Sequence, residues 1–494
     1  MVLNWKAVVE TLGILLLFLA VALLAPLGVS LLYKESIWWS FGVTAVLAGV
    51  IGVSFRFFSN KGSKQLEIRE GFAVVALSWF VLSLIGALPF VLSGVLSSYS
   101  NAFFETMSGF TTTGATILGG IDTPQIEELP NSLLFWRSLT HWLGGMGIIV
   151  LTLAIMPVLG IGGVQLYKAE VPGLTTDKLT PRIGETAKRL WLIYVGFTVV
   201  QIGLLWPAIG FFDSINHAFA TMATGGFSTK NGSVGQFESA YVEWIIIVFM
   251  ILAGVNFALH FRLLAGQFKT VWKDAEIKVY FSIVAVSTLV LTLYLWAPGG
   301  ASDFLKYEHL GESFRQAAFQ AVAIITTTGF GTADYELWPF FAMSVLFLLF
   351  FAGGMAGSTG GGIKIVRHIL LFKNVHTEIK KLVHPNAVIP IRLNRHSVSQ
   401  DIMRNVLSFF FVYFALIGLG TLVMTAMNLD VWSAFTVTIS SIGNVGPAFG
   451  DFGPTETYAP IPAAGKWVLS LLMMAGRLEL FTVLILFSPA FWRR

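Results

Sequence analysis

Apolar residues along this chain gather into stretches too long and too poor in charge for a water-soluble fold. They run at about 11–33, 37–55, 71–96, 142–167, 190–212, 244–259, 279–298, 340–363, 406–427 and 467–491. Most reach the roughly 20 residues that carry a helix across a hydrocarbon core. Between them lie shorter, semi-polar helical segments too brief to span: Asn101–Glu105, Asp213–Phe219, Glu312–Phe319 and Asp430–Phe435. Each begins near a Ser, Asp, Asn or Glu suited to capping and carries an aromatic or alanine face for packing. Each then runs into a short Thr/Ser/Ala stretch ending in glycine, repeated at intervals of roughly 110 residues. The four stretches are Thr111-Thr112-Thr113-Gly114, Thr221-Met222-Ala223-Thr224-Gly225, Thr326-Thr327-Thr328-Gly329 and Ser440-Ser441-Ile442-Gly443.

This pattern divides the chain into an N-terminal transmembrane hairpin, 1–60, and four units at 61–175, 176–275, 276–395 and 396–494. Each unit reads as a spanning helix, a short pore helix, an extended filter loop and a second helix. The predicted second helices are about 132–160, 241–268, 337–376 and 465–492, the third of them interrupted. The expected fold class is therefore an all-α integral membrane protein, with four tandem units around a pseudo-fourfold pore. The first apolar stretch is long for a secretory leader, lacks a convincing cleavage site and is followed at once by a second span, so it reads as a retained helix.

Composition agrees: 55% of residues are hydrophobic and 12% charged, and 15 Trp suit membrane interfaces. The chain has no cysteine, which removes disulfides and thiolate metal sites. Basic residues cluster at 56–69 (Arg56, Lys61, Lys64, Arg69), 168–189 (Lys168, Lys178, Arg182, Lys188, Arg189), 262–278 (Arg262, Lys269, Lys273, Lys278) and 364–404. The intervening segments lean acidic: Asp122, Glu127 and Glu128, then Asp213, Glu238 and Glu243, then Asp303, Glu308, Glu312, Asp334 and Glu336, then Asp430, Asp451 and Glu456. Basic loops stay in the cytoplasm. That rule puts both termini, closing with Arg493-Arg494, on the inner side and all four glycine runs on the outer side. The clusters are short and separated by spans, so they do not describe a nucleic-acid surface. Lipid is the surrounding partner.

A dehydrated alkali cation can be held by backbone carbonyl oxygens that replace its hydration shell. Turning successive carbonyls toward one axis needs unusual dihedrals, which glycine supplies. The candidate filter is Thr112, Thr113 and Gly114; Ala223, Thr224 and Gly225; Thr327, Thr328 and Gly329; and Ser441, Ile442 and Gly443. Each short helix would aim the negative end of its dipole at this region, favouring a cation. Close helix packing alone also uses small residues, but four runs at matching positions point to a single-chain pore.

The motifs Ser108–Thr116, His141-Trp142-Leu143-Gly144-Gly145-Met146-Gly147, Ala223-Thr224-Gly225-Gly226-Phe227-Ser228-Thr229, Thr327-Thr328-Gly329-Phe330-Gly331 and Gly476-Arg477-Leu478-Glu479 carry a resemblance. Over about 61–494 the chain resembles the Trk/Ktr/HKT superfamily of potassium transporters, and the extra hairpin favours the bacterial TrkH-like branch. Glycine in all four filter positions goes with potassium in that family. The resemblance implies potassium as the transported substrate, a homodimer, and a TrkA-like cytosolic nucleotide-binding regulatory subunit docked on the basic stretch Lys364–Arg404. Ile442, where other runs have threonine, implies a filter that is not strictly fourfold.

Two elements are candidates for restricting the pore. Arg477 falls in the last apolar stretch, where a charge costs about 2.5–3.5 kcal/mol to insert. It reads either as an ion pair with Glu479 or as a positive barrier below the filter, and the resemblance implies the barrier. The run Gly353–Lys364 interrupts a spanning helix. It lacks the Gly-Lys-Ser/Thr ending of a phosphate loop, and Gly353 and Gly357 fit helix packing. The stronger reading is a flexible gate at Gly353, Gly357, Gly360, Gly361, Gly362 and Lys364, which the resemblance also implies. His141, His217, His260 and Arg137 read as satisfied buried groups. For Glu105, Asp213 and Asp430, capping and ion attraction compete. No motif calls for an organic cofactor or an enzyme. The alternative is a proton- or sodium-coupled symporter with alternating access, which would show opposite charge bias in alternate units.

Overall fold

The computed structural model describes residues 3–59, 68–120, 123–154, 179–297, 304–394 and 396–492. The expected boundaries at 60/61 and 175/176 lie outside the described residues, as do Lys61, Lys64, Asp122, Lys168, Lys178, Asp303, Arg395, Arg493 and Arg494.

The hairpin is built from α1 (Trp5–Ala22), continued by α2 (Leu24–Leu32), and α3 (Trp38–Phe58). Small residues let α1 and α3 cross closely: a Cβ added at Gly13 or Gly52 would come within 2.8 Å of the other's carbonyl oxygen. The first unit follows with α4 (Ile68–Gly86), α5 (Leu88–Leu92), the re-entrant α6 (Tyr99–Phe110) and α7 (Asn131–Ala154). In the second unit α8 (Leu179–Met222) is both outer and re-entrant helix. It turns at Gly210 (φ 78°, ψ 165°), three residues after Pro207, so glycine and proline fold one helix into the two that the sequence suggested. Then come α9 (Ala240–Gly254), α10 (Phe257–Leu264) and α11 (Phe268–Trp272).

The third unit comprises α12 (Ala275–Leu295), the re-entrant α13 (Leu310–Ile325), α14 (Phe340–Leu349) and α15 (Ile365–Val383), followed by a short hairpin, β1 (Arg392–Leu393) and β2 (His396–Ser397). The fourth has α16 (Gln400–Thr425), the re-entrant α17 (Val431–Gly443), α18 (Ala463–Arg477), α19 (Phe481–Leu484) and α20 (Pro489–Trp492). Helix starts follow side-chain chemistry. The Asp274 carboxylate accepts the Glu276 and Ile277 N–H groups at 2.8 and 3.0 Å, opening α12.

Among the described residues six helices are long and apolar enough to cross a membrane, and two further pairs pass together while bent by 100° and 117°. Large apolar side chains such as Phe411, Leu419 and Val286 point outward, as lipid contact requires. The re-entrant helices are the centre of the molecule: α6 from Ala102 onward is buried, and so is most of α13 and α17. The second helices depart from expectation. Beyond the anticipated break in the third unit, the second unit breaks at Val255-Asn256 and the fourth just after Arg477. The stretch 465–492 is not one continuous helix.

Candidate ion pathway

Each re-entrant helix ends in the same backbone arrangement. The residues Thr112, Thr224, Thr327 and Asn444 take left-handed φ values of 52°, 55°, 57° and 55°. Their N–H groups bond to the carbonyl three residues back, and the next N–H reaches five back: Thr113 to Ser108 at 2.9 Å, Gly225 to Ala220 at 2.8 Å, Thr328 to Ala323 at 2.8 Å, and Val445 to Ser440 at 3.0 Å. This is the double hydrogen bond that closes a helix through a left-handed residue. A β-branched threonine there is strained, by roughly 1–3 kcal/mol.

Two residues further on, each segment has a glycine at positive φ: Gly114 (81°), Gly226 (83°), Gly329 (71°) and Gly446 (103°). These four close a ring. A Cβ on Gly114 would overlap the Gly225 carbonyl oxygen, one on Gly226 that of Thr328, one on Gly329 that of Val445, and one on Gly446 would lie 2.6 Å from that of Thr113. Each unit's glycine thus packs on the next unit's carbonyl, in the order first, second, third, fourth, first. A cavity of about 90 Å³ touches all four glycines. The Asn444 amide ties the ring across its last junction, donating to the Thr113 hydroxyl at 3.0 Å and to the Met473 carbonyl at 2.9 Å.

This geometry changes the register of two segments. Ser441, Ile442 and Gly443 belong to the last turn of α17, because the helix runs on to the left-handed Asn444. The fourth ring segment is Asn444-Val445-Gly446. In the second unit it is Thr224-Gly225-Gly226, and Ala223 belongs to the helix end. Sequence reading missed Gly226, Asn444, Val445 and Gly446. An available signal was the residue after the glycine: Phe227 matches Phe330, which aligns Gly226 with Gly329. The first and third segments lie at their expected positions.

The glycine-rich loop between α14 and α15 packs against the C-terminal ends of the re-entrant helices. The Gly361 N–H donates to the Thr327 hydroxyl at 2.6 Å. The Thr359 hydroxyl reaches the Met222 and Ala253 carbonyls at 3.0 and 3.2 Å. A Cβ on Gly361 would sit 2.6 Å from the Gly443 carbonyl oxygen, and one on Gly360 3.1 Å from that of Thr326. The loop is tied internally by Gly353 N–H to the Ile363 carbonyl at 2.9 Å and by the Lys364 ammonium to the Gly360 carbonyl. Gly357 and Gly362 take positive φ, and Gly357 packs on Asn256 at the break in the second unit.

Arg477 extends these contacts. Its guanidinium donates to the Thr359 carbonyl at 2.6 Å and to the Gly144 carbonyl at 3.4 Å, joining the loop to the first unit. Glu479 pairs with Arg367 instead, whose guanidinium also stacks 3.9 Å over Phe409. Loop and arginine together contact all four units.

A sequence model of the TrkH family, described as cation transport protein, matches residues 43–494. The chain belongs to the TrkH family. It is 41% identical over 494 residues to the Trk system potassium uptake protein TrkH of Escherichia coli K12, covering 99% of this chain and 100% of that one. The Halomonas elongata protein of the same name is 39% identical over 497 residues, with 99% of each covered. The crystal structure of the potassium transporter TrkH from Vibrio parahaemolyticus matches with a TM-score of 0.89 at 38% identity, over 99% of this chain and 100% of that one. A multi-pass membrane transporter, and not an enzyme, is what this TrkH-family chain folds into.

The remaining polar candidates of the TrkH-family fold have structural partners. His141 lies against the Gly109 carbonyl at 2.8 Å and accepts the Phe227 N–H at 3.3 Å. His217 meets the Asp213 carbonyl at 2.8 Å and the Ser228 hydroxyl at 3.0 Å, and His260 the Leu252 carbonyl at 2.8 Å. Asp430 is a cap: it accepts the Trp432 and Ser433 N–H groups at 2.9 and 3.0 Å, and Ser433 holds its carboxyl below the usual carboxylate range. Asp213 accepts the Thr229 hydroxyl at 2.7 Å, and Glu105 pairs with Arg137 at 2.8 Å.

Proposed function

We propose that this chain takes up potassium ions across the bacterial cytoplasmic membrane through the four-segment ring, with the glycine-rich loop and Arg477 restricting passage beneath it. The observation that carries this reading is the closed order of glycine against carbonyl around the ring. Four backbone segments at membrane depth are tolerable only if they are buried in protein or line a water-filled path, and a ring of four with a cavity against all four glycines fits the second. In it, carbonyl oxygens of Thr112, Thr113 and Gly114 and their counterparts replace the hydration shell of the cation. The four helix C-termini add favourable potential.

Arg477 opposes that potential. A guanidinium about 5 Å from a monovalent cation, at an effective dielectric of about 20, repels it by about 3 kcal/mol. Potassium is the cargo rather than a resident cofactor, and the relatives' printed names support that choice. The charge pattern supports inner termini, and the basic surface from Lys364 to Arg404 suits a cytosolic nucleotide-binding regulatory subunit, TrkA-like, on a homodimer of this chain. Expression in a bacterium stripped of its potassium uptake systems tests the reading. Restored growth at low potassium is expected from the wild type and not from Gly329→Ala; no rescue by a membrane-inserted wild type counts against it.

A further inference from the structure

We propose that the buried Glu105–Arg137 pair positions the first ring segment relative to the second, and so sets the preference of the ring for potassium over smaller alkali cations. The inference rests on the potassium-pathway reading above. The two side chains are 0% and 1% exposed, with Arg137 Nε 2.8 Å from Glu105 Oε1. Glu105 lies on the re-entrant α6 and Arg137 on α7, both in the first unit.

The same guanidinium also leaves its own unit. Nη1 donates to the Ser228 carbonyl at 3.0 Å, two residues past the ring glycine Gly226, and Nη2 donates to the Thr116 hydroxyl at 3.2 Å, two past Gly114. Its Cζ lies 4.2 Å from the Phe227 ring centroid, and the His141 ring lies 4.1 Å from that same centroid. Glu105 holds the other side of the junction, accepting the Thr116 hydroxyl at 2.9 and 3.0 Å and the Ile117 N–H at 3.0 Å. One rigid fork therefore fixes the residues just beyond two adjacent ring glycines.

The other junctions are bridged differently. Gly235 N–H meets the Gly331 carbonyl at 3.0 Å, the Tyr335 hydroxyl meets the Ala448 carbonyl at 2.7 Å, and Tyr458 N–H meets the Thr116 carbonyl at 2.8 Å. A buried ion pair is poor value for stability alone, since apolar replacements of similar volume are often neutral or better. What it supplies is fixed geometry: a planar guanidinium donates in set directions, which an ammonium does not reproduce. Spacing between facing carbonyls is what discriminates cations by size in one account of such filters.

Purified protein in liposomes, with potassium and sodium fluxes measured separately, tests this with Arg137→Lys and Thr116→Val. Arg137→Lys keeps the charge and loses the fork, and its potassium-to-sodium flux ratio should fall about tenfold, the loss of one charge-assisted hydrogen bond. Thr116→Val leaves the pair in place and should lower the ratio about threefold. Ratios equal to wild type, or both fluxes falling in proportion, overturn the proposal. If Arg137→Lys yields no folded protein, Thr116→Val decides: a lowered ratio supports the proposal and a wild-type ratio ends it. A wild type that passes no potassium would instead overturn the functional reading itself.

Discussion

The Gly361 N–H donates to the hydroxyl of Thr327 at 2.6 Å, so the glycine-rich loop is hydrogen-bonded directly to a residue of the ring. The Thr327 hydroxyl is committed to the loop, so the seat of the loop and the ring share one bond. Leaving that N–H unpaired in a buried site costs about 1–3 kcal/mol, so the loop does not leave without compensation.

Gly361→Ala should therefore raise potassium flux. The added methyl would stand 2.6 Å from the Gly443 carbonyl oxygen and 2.8 Å from the Asn444 Cβ, forcing the loop off its seat. Flux through protein in liposomes, without any partner subunit, is expected to rise several-fold; a rate equal to wild type counts against the loop as the restriction.

Arg477→Ala removes the positive charge below the ring and its bonds to Thr359 and Gly144. With about 3 kcal/mol of repulsion relieved, passive potassium flux should increase by roughly a hundredfold. Arg477→Lys, which retains the charge, should give a smaller rise. Unchanged flux in Arg477→Ala rules out the barrier.

The register of the fourth segment separates two neighbouring glycines. Gly446 has φ 103° and no room for a Cβ beside the Thr113 carbonyl, whereas Gly443 is helical and its added Cβ would first meet a Val445 methyl at 3.3 Å, a contact that a shift of a few tenths of an ångström relieves. Gly446→Ala should lose potassium transport or its selectivity while Gly443→Ala keeps both, as read by growth at low potassium. The reverse pattern would restore Ser441-Ile442-Gly443 as the ring segment.

Glu276 holds both ends of the loop, accepting the Ala356 N–H at 2.8 Å and the Val366 N–H at 3.1 Å. Glu276→Gln weakens two charge-assisted bonds, and flux should rise about fivefold, with Glu276→Ala higher. Equal rates for all three proteins would show that the loop is held elsewhere.

The spans were legible because lipid demands long, charge-poor stretches, and the re-entrant helices because they are too short and too polar to be spans. Ring positions were legible in the first and third units, where Thr-Thr-Thr-Gly begins at the helix end. They were hidden in the fourth, where Ser440–Gly443 imitates that run while still helical; the turn is made by Asn444, a residue that tolerates left-handed φ. The break after Arg477 was invisible for a related reason. It is made by Glu479 and Leu480 at positive φ, 61° and 56°, and neither is the glycine or asparagine that commonly takes such a conformation. Contacts such as Arg137 to Ser228 join residues 91 positions apart and follow only from packing the units together.

The most direct test of the pathway is potassium flux into liposomes holding the purified wild type, driven by a membrane potential alone and compared with sodium and rubidium. Potassium and rubidium entry well above that of sodium, with no imposed proton or sodium gradient, is the predicted result. Potassium entry that is absent, or that appears only when such a gradient is imposed, would contradict an open path through the ring.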